Sequence, residues 1–238
     1  MTKNKAILIG AGLANMAAAV YLIQEGHWQG DQITFYSIDD HGSNDGSPAN
    51  EAAGEYWNKV HPLENTKGFV ARGGRMLNYR TYVDLMDLLS RVPSATEPGM
   101  TAAEDTREFD ANHRTFDKAR LMEGGKGIIN GGKLGFNNKD RMKLTELLLM
   151  PDSKEEKLDN VTIADYFKDD PHMFTTNFWY MWETTFAFRT QSSAQELRRY
   201  MHQMIYEFTQ IEHLVGVNRT RYNQYESIML PLINYLKE

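Results

Sequence analysis

Residues 6–26 read "AILIGAGLANMAAAVYLIQEG". The apolar run Ala6–Ile9 predicts a short buried strand, and it leads directly into Gly10-Ala11-Gly12. The alanine-rich stretch Gly12–Gly26 then predicts a helix that Gly26 closes as a C-terminal glycine cap. A second apolar run, Ile33–Tyr36, predicts another strand. Strand, helix and strand in this order imply a parallel pair with a right-handed crossover. Gly10-Ala11-Gly12-Leu13-Ala14-Asn15 has the form of a dinucleotide fingerprint with asparagine in the third glycine's place. Gly10 would permit the tight turn, and Gly12 would let a pyrophosphate approach the backbone at the positive end of the helix. The plainer alternative is a glycine turn that packs helix on strand. The fingerprint also wants an acid after the second strand to hold the ribose. Here "FYSIDDHG" places Ser37 at that point, with Asp39 and Asp40 slightly later.

Composition bounds what such a site serves. At 238 residues the chain is one large domain or an incomplete two-domain protein, and 41% hydrophobic residues suffice for a sizeable core. A net charge of −6 argues against a nucleic-acid binder. The chain has no cysteine, which excludes disulfides, thiolate metal ligands and cysteine nucleophiles and fits a reducing compartment. No run approaches the roughly 20 apolar residues of a membrane span. The basic, apolar N-terminus imitates a signal peptide, but Gly10, Gly12 and Asn15 interrupt it, so a cytoplasmic location is expected.

Further along, His41–Asn65 reads as loop and Tyr79–Arg91 as a helix ending before Pro93. From Glu97 to Asn138 the chain is polar and dotted with glycine, with no sustained period. Helices are expected at Lys139–Leu149, Ile163–Phe167, Met173–Phe186, Ser193–Leu214 and Gln224–Lys237. No convincing strand follows Tyr36, so the sheet is incomplete in this chain. The fold class read from this is α/β: a partial Rossmann-type βαβ start, residues 1–95, followed by a mainly helical region, residues 96–238. An open parallel edge with uncovered apolar faces implies self-association or a separate chain that supplies the remainder.

Two further stretches carry chemistry. Arg72-Gly73-Gly74-Arg75 places two guanidinium groups around bare backbone, which suits an anionic ligand; alone it is as easily a solvated turn. In "SSAQELRRYMHQ", Ser193 and Glu196 have capping-box spacing, and Leu197, Tyr200, Met201, Met204, Phe208 and Ile211 recur at three- and four-residue steps. Tyr200 thus lies on an apolar stripe, where a tyrosine is more often core with its hydroxyl satisfied. The run "MFTTNFWYMWETTFAF", with 7 aromatics in 16 residues, suits an acyl-chain pocket or a buried helix. Seven histidines show no metal-ligand spacing, and no GxSxG elbow is present.

Taken together, "GAGLANMAAAVYLI", "GSNDG", "GFVARGGR", "LLSRVPS", "TIADYF", "NFWYMWETTFAF", "SAQELRRYMHQ" and "RYNQYESIMLPLINYLKE" resemble, in order, the N-terminal part of the oleate hydratase family. These are FAD-dependent fatty acid hydratases once called myosin-cross-reactive antigens, and their members are usually more than twice this long. The resemblance implies hydration of the cis double bond of a long-chain unsaturated fatty acid, with FAD required but not consumed. It implies FAD contacts at Gly10, Gly12, Asn15, Asp39, Gly42, Ser43, Arg72, Gly73, Gly74 and Arg75, and a proton-donating tyrosine at Tyr200. Many members place a water-activating glutamate directly after the RGGR loop. Here that position is Met76, or Leu77 with a one-residue insertion, and neither accepts a proton. The partners implied are the fatty acid, a separate chain carrying the missing part, a second copy of this chain and transient contact with a membrane surface. Two other functions stay open: a non-catalytic fragment or half of a split protein, and an FAD-dependent oxidoreductase.

Overall fold

The computed structural model describes residues 4–37, 75–207 and 210–238, which fall into two compact units. Residues up to 114 and from 218 onwards form the first unit, and residues 115–217 the second.

The first unit opens as the sequence implies. Strands β1 (Ala6–Ile9) and β2 (Ile33–Tyr36) pair in parallel, with Ala6 opposite Ile33 and Ile9 opposite Tyr36, and helix α1 (Leu13–Gln24) joins them. Strand residues alternate between faces, so Ala6 and Leu8 turn inward while Ile7 and Ile9 are exposed. Met16, Ala19 and Val20 form the buried side of α1. The end of α1 differs from the expectation for Gly26. Glu25 is the C-cap and the left-handed residue is His27, with φ 55°. Gly26 is needed for a different reason: a Cβ there would lie 2.6 Å from the Leu22 carbonyl oxygen.

Strand β3 (Met76–Leu77) pairs antiparallel with β6 (Asn218–Arg219), some 140 residues later in the chain. Helix α2 (Val83–Ser90) starts later than the expected Tyr79, because Asn78 builds a turn first. Its carbonyl accepts from the Thr81 and Tyr82 amides, and its side-chain Oδ1 accepts from the Arg80 amide. Helix α3 (Ala102–Asn112) lies in the stretch where no periodicity was evident. Its buried face is Ala102, Ala103, Asp105, Thr106 and Asp110, too polar to register as an apolar stripe. The legible signal was the capping box: Thr101 Oγ1 accepts from the Glu104 amide at 3.2 Å, and the Glu104 carboxylate accepts from the Thr101 amide at 2.8 Å. The last segment is also not one regular helix. Tyr225–Met229 is a π-turn that runs into α8 (Leu230–Lys237). Pro231 lacks an N–H and its ring crowds the preceding turn, and the wider π-turn accommodates it. Leu232 and Ile233 of α8 join Met16 and Val20 of α1 and Leu77, Met86 and Leu89 in one core.

The second unit begins with a hairpin that the sequence did not signal, β4 (Leu121–Glu123) against β5 (Gly127–Ile129). Helix α4 (Asn138–Leu149) follows, then the short helix α5 (Ile163–Tyr166). The expected helix Met173–Phe186 is divided at Thr176. A 3-10 turn covers Pro171–Thr175, and α6 (Asn177–Phe186) starts afresh with Thr176 Oγ1 accepting from the Trp179 amide. The expected helix Ser193–Leu214 stops early, at α7 (Ala194–Gln203). Beyond it, bonds of the i→i+3 type (Glu207 to Met204, His213 to Gln210, Leu214 to Ile211) build successive turns. These keep the three-residue spacing of apolar residues without an α-helix, which is why the period over-ran. Trp182, Phe167, Phe178, Met181, Leu197 and Met201 fill this unit's core. No described helix is long and apolar enough to cross a membrane.

Thr101→Ala removes one partner of the capping box and should lower stability by about 1 kcal/mol. Urea unfolding measures this; an unchanged midpoint would show that the box contributes nothing in solution.

Candidate functional site

The turn after β1 is shaped by its own backbone. Gly10 takes φ 86°, a region that a side chain resists, and its amide donates to the Tyr36 carbonyl at 2.7 Å. Asn15 reaches back from α1, and its Nδ2 donates to the carbonyls of Ile9 (2.7 Å) and Gly10 (2.8 Å). The asparagine in the third glycine's place therefore pins the turn with its side-chain amide.

Gly12 differs from Gly10. It is the N-cap of α1 with φ −80° and ψ 174°, a conformation any residue adopts. Among the described residues a Cβ there would meet nothing within 4 Å. The described residues therefore place no steric demand for glycine at 12, and among them the space at the helix end is open. Among the described residues no side chain caps α1, and its first turn holds no acid. The first helical hydrogen bond runs from the Met16 amide to the Gly12 carbonyl at 3.0 Å. Uncapped amides at the positive end of a 12-residue helix, beside open space, suit an anion.

Of the other residues expected at this site, Asp39, Gly42, Ser43, Arg72, Gly73 and Gly74 lie outside the described residues. Arg75 is described, and Thr220 fixes its backbone. The Arg75 amide donates to Thr220 Oγ1 at 2.8 Å, and the Arg75 carbonyl accepts from the Thr220 amide at 3.0 Å. The buried Thr220 hydroxyl in turn donates to the Tyr222 carbonyl at 2.8 Å. The Arg75 side chain is exposed. Asp110 braces the same ladder: Oδ1 accepts from the Arg219 amide at 2.9 Å, and Oδ2 accepts the Tyr79 hydroxyl. Burial raises the Tyr79 phenol above its ordinary range, and the Asp110 carboxylate adds to this. The two positions weighed for the missing glutamate separate clearly. Leu77 is 1% exposed and belongs to the core, whereas Met76 is 37% exposed.

Tyr200 belongs to the second unit. Ser193 caps its helix α7, but its Oγ accepts from the Gln195 amide at 3.1 Å rather than completing the expected box with Glu196. Leu197 and Met201 are buried. Tyr200 itself is half-buried, with Phe186 and Phe188 edge-on to its ring at centroid distances of 5.2 Å each. Its hydroxyl makes no hydrogen bond among the described residues. The aromatic run divides accordingly. Phe178, Trp179, Met181 and Trp182 are core, while the left-handed Ala187 (φ 56°) ends α6 and turns Phe188 towards Tyr200. The sequence placed Phe186 and Phe188 in an aromatic run suited to an acyl-chain pocket, but only the turn at Ala187 brings them to one tyrosine. A half-buried phenol between two aromatic edges can present its proton to a hydrocarbon.

Residues 3–238 match the family model described as the MCRA family. The chain is 79% identical over 237 residues to a linoleate hydratase of Lactiplantibacillus plantarum, across all of this chain and 42% of that protein. It is 29% identical over 236 residues to an oleate hydratase of Streptococcus pyogenes serotype M49 (strain NZ131), across 99% of this chain and 37% of that protein. The chain thus spans about two-fifths of the length of the curated relatives it matches.

The two glycines should respond differently to alanine. Gly10→Ala forces a side chain into left-handed backbone and should cost roughly 1–2 kcal/mol of stability. Gly12→Ala meets no steric contact among the described residues but is a poorer N-cap, and should cost less, about 0.5–1 kcal/mol. Denaturant unfolding of both variants checks this, and an equal loss would contradict the assignment.

Proposed function

The chain belongs to the MCRA family, and from that premise we propose that it is a portion of a fatty acid hydratase, which adds water across the cis double bond of a long-chain unsaturated fatty acid. The observation that carries this reading is the Tyr200 hydroxyl, without a partner among the described residues and flanked by Phe186 and Phe188. In the reaction the phenol gives its proton to one alkene carbon. The oxygen of water bonds to the other, and that water loses a proton to a base. Met76 cannot be the base, since a thioether sulfur is far too weakly basic to take a proton from water. Apolar walls around Tyr200 would hold the alkene against the phenol and exclude competing water.

The cofactor in this reading is FAD, and the residues fit it at the phosphates. Gly12 leaves the α1 N-terminus open, Gly10 and Asn15 shape the turn, and Arg75 stands exposed at the end of the RGGR loop. Asp39, Gly42, Ser43, Arg72, Gly73 and Gly74 complete the proposed set. In this reading FAD is required but not consumed. The remaining proposals follow from the same reading: a Rossmann-type cofactor domain, a cytoplasmic enzyme, and a separate chain or second copy covering the sheet. Exposed Ile7, Ile9 and Tyr36 on one face of the β1–β2 pair support such a cover. One observation favours the alternative of a non-catalytic chain, the methionine where a carboxylate is usual. An oxidoreductase would differ in coupling turnover to flavin reduction.

The test is hydroxy fatty acid formation from linoleate or oleate by the polypeptide that carries this chain. Tyr200→Phe should lower turnover about 100-fold or more, the scale for loss of a general acid, with flavin content unchanged. Full activity in this variant would remove Tyr200 from the chemistry.

A further inference from the structure

Asp140 and Asp170 are the most deeply buried acids of the second unit, neither more than 2% exposed. Asp140 is part of the cap of α4. Its Oδ2 accepts from the Asn137 amide at 2.6 Å and meets His172 Nδ1 at 2.8 Å. Its other oxygen, Oδ1, is buried without a partner, and so is Oδ2 of Asp170. Asp170 leads into the Pro171–Thr175 turn, and its amide donates to the Phe167 carbonyl at 2.7 Å. Lys139 on the Asp169 carbonyl and Asp140 on His172 bring the start of α4 against residues 169–172, so the Asp140 and Asp170 carboxyls lie in one site. A buried carboxylate oxygen without a donor is costly, and two ionised carboxylates in such a site repel as well. A single proton removes both penalties, because a protonated carboxyl donates to its ionised neighbour.

We propose that Asp140 and Asp170 form a proton-binding site in which one proton, shared between the two carboxyls, fastens the start of α4 to the Pro171–Thr175 turn. Burial drives the Asp170 carboxyl above the ordinary carboxylate range, and Asp140 drives it further. Two groups act in the opposite sense. The Lys139 ammonium, which donates to the Asp169 carbonyl, and the His172 imidazole both favour the ionised form. The turn continues into α6.

The pH dependence follows from linkage. The folded pair binds its proton more tightly than the unfolded chain does. Stability is therefore gained as pH falls towards the ordinary carboxylate range and lost as pH rises through the raised value. His172 bonds Asp140 directly, so the experiment is thermal unfolding of the full chain carrying His172→Gln, with and without Asp170→Asn, at about pH 5 and about pH 8. With Asp170 present the midpoint should fall by about 3 °C or more on going to the higher pH. Asp170→Asn should abolish most of that fall and melt higher than its parent at the higher pH. An unaltered fall, or an equal loss at both values, would overturn the proposal. Infrared spectra of the unsubstituted chain give a second reading should the asparagine variant not fold. A protonated-carboxyl carbonyl band above the ordinary carboxylate range supports the shared proton, and carboxylate bands alone refute it.

Discussion

The hydrogen bond from the Gly10 amide to the Tyr36 carbonyl closes the parallel pair at the point where the chain leaves the sheet. Much of the first unit depends on it. With β1 held to β2, the left-handed Gly10 aims the following residues so that α1 begins at once, without a capping side chain. The helix then has two distinct surfaces. Its side buries Met16, Ala19 and Val20, and through them meets α8 at the other end of the sequence. Among the described residues no side chain caps its N-terminus, and a Cβ at Gly12 would meet nothing within 4 Å. One turn thus serves both packing and the proposed cofactor site, and Asn15 serves both through its bonds to Ile9 and Gly10.

A second constraint joins distant parts of the sequence. Thr220 and Asp110 hold the backbone from Arg75 to Leu77 against β6 through bonds that span between about 110 and 145 residues. Residues 75–77 are therefore held by the segment that follows the second unit. Leu77 anchors this ladder in the core, which leaves Met76 as the residue beside it with access to solvent. Burial of one residue and exposure of the next is what strand alternation demands. Of the two positions weighed for a carboxylate, only Met76 has access to solvent.

What the sequence disclosed was local. The strand–turn–helix–strand order of residues 6–36 was legible because each element carries its own signal, and glycine punctuates them. Helix α3 escaped notice because its buried face is alanine, threonine and aspartate, although Thr101 and Glu104 announced its start. The hairpin β4–β5 escaped because its strands have three residues each. Over-long helices at 173–186 and 193–214 came from reading apolar spacing as helix, where 3-10 and single turns satisfy the same spacing. In the candidate site, Gly10, Gly12 and Asn15 could be read from the fingerprint. The roles of Thr220, Phe186 and Phe188 could not, because long-range pairing and the left-handed Ala187 create them.

The central claim is that Gly12 keeps the α1 N-terminus open for the phosphates of a dinucleotide. Amide hydrogen exchange of the polypeptide carrying this chain, with and without FAD, addresses it most directly. The account predicts that FAD protects the amides of residues 12–15, which no described side chain caps, more than the rest of α1. Protection elsewhere, with exchange at 12–15 unchanged, would contradict it.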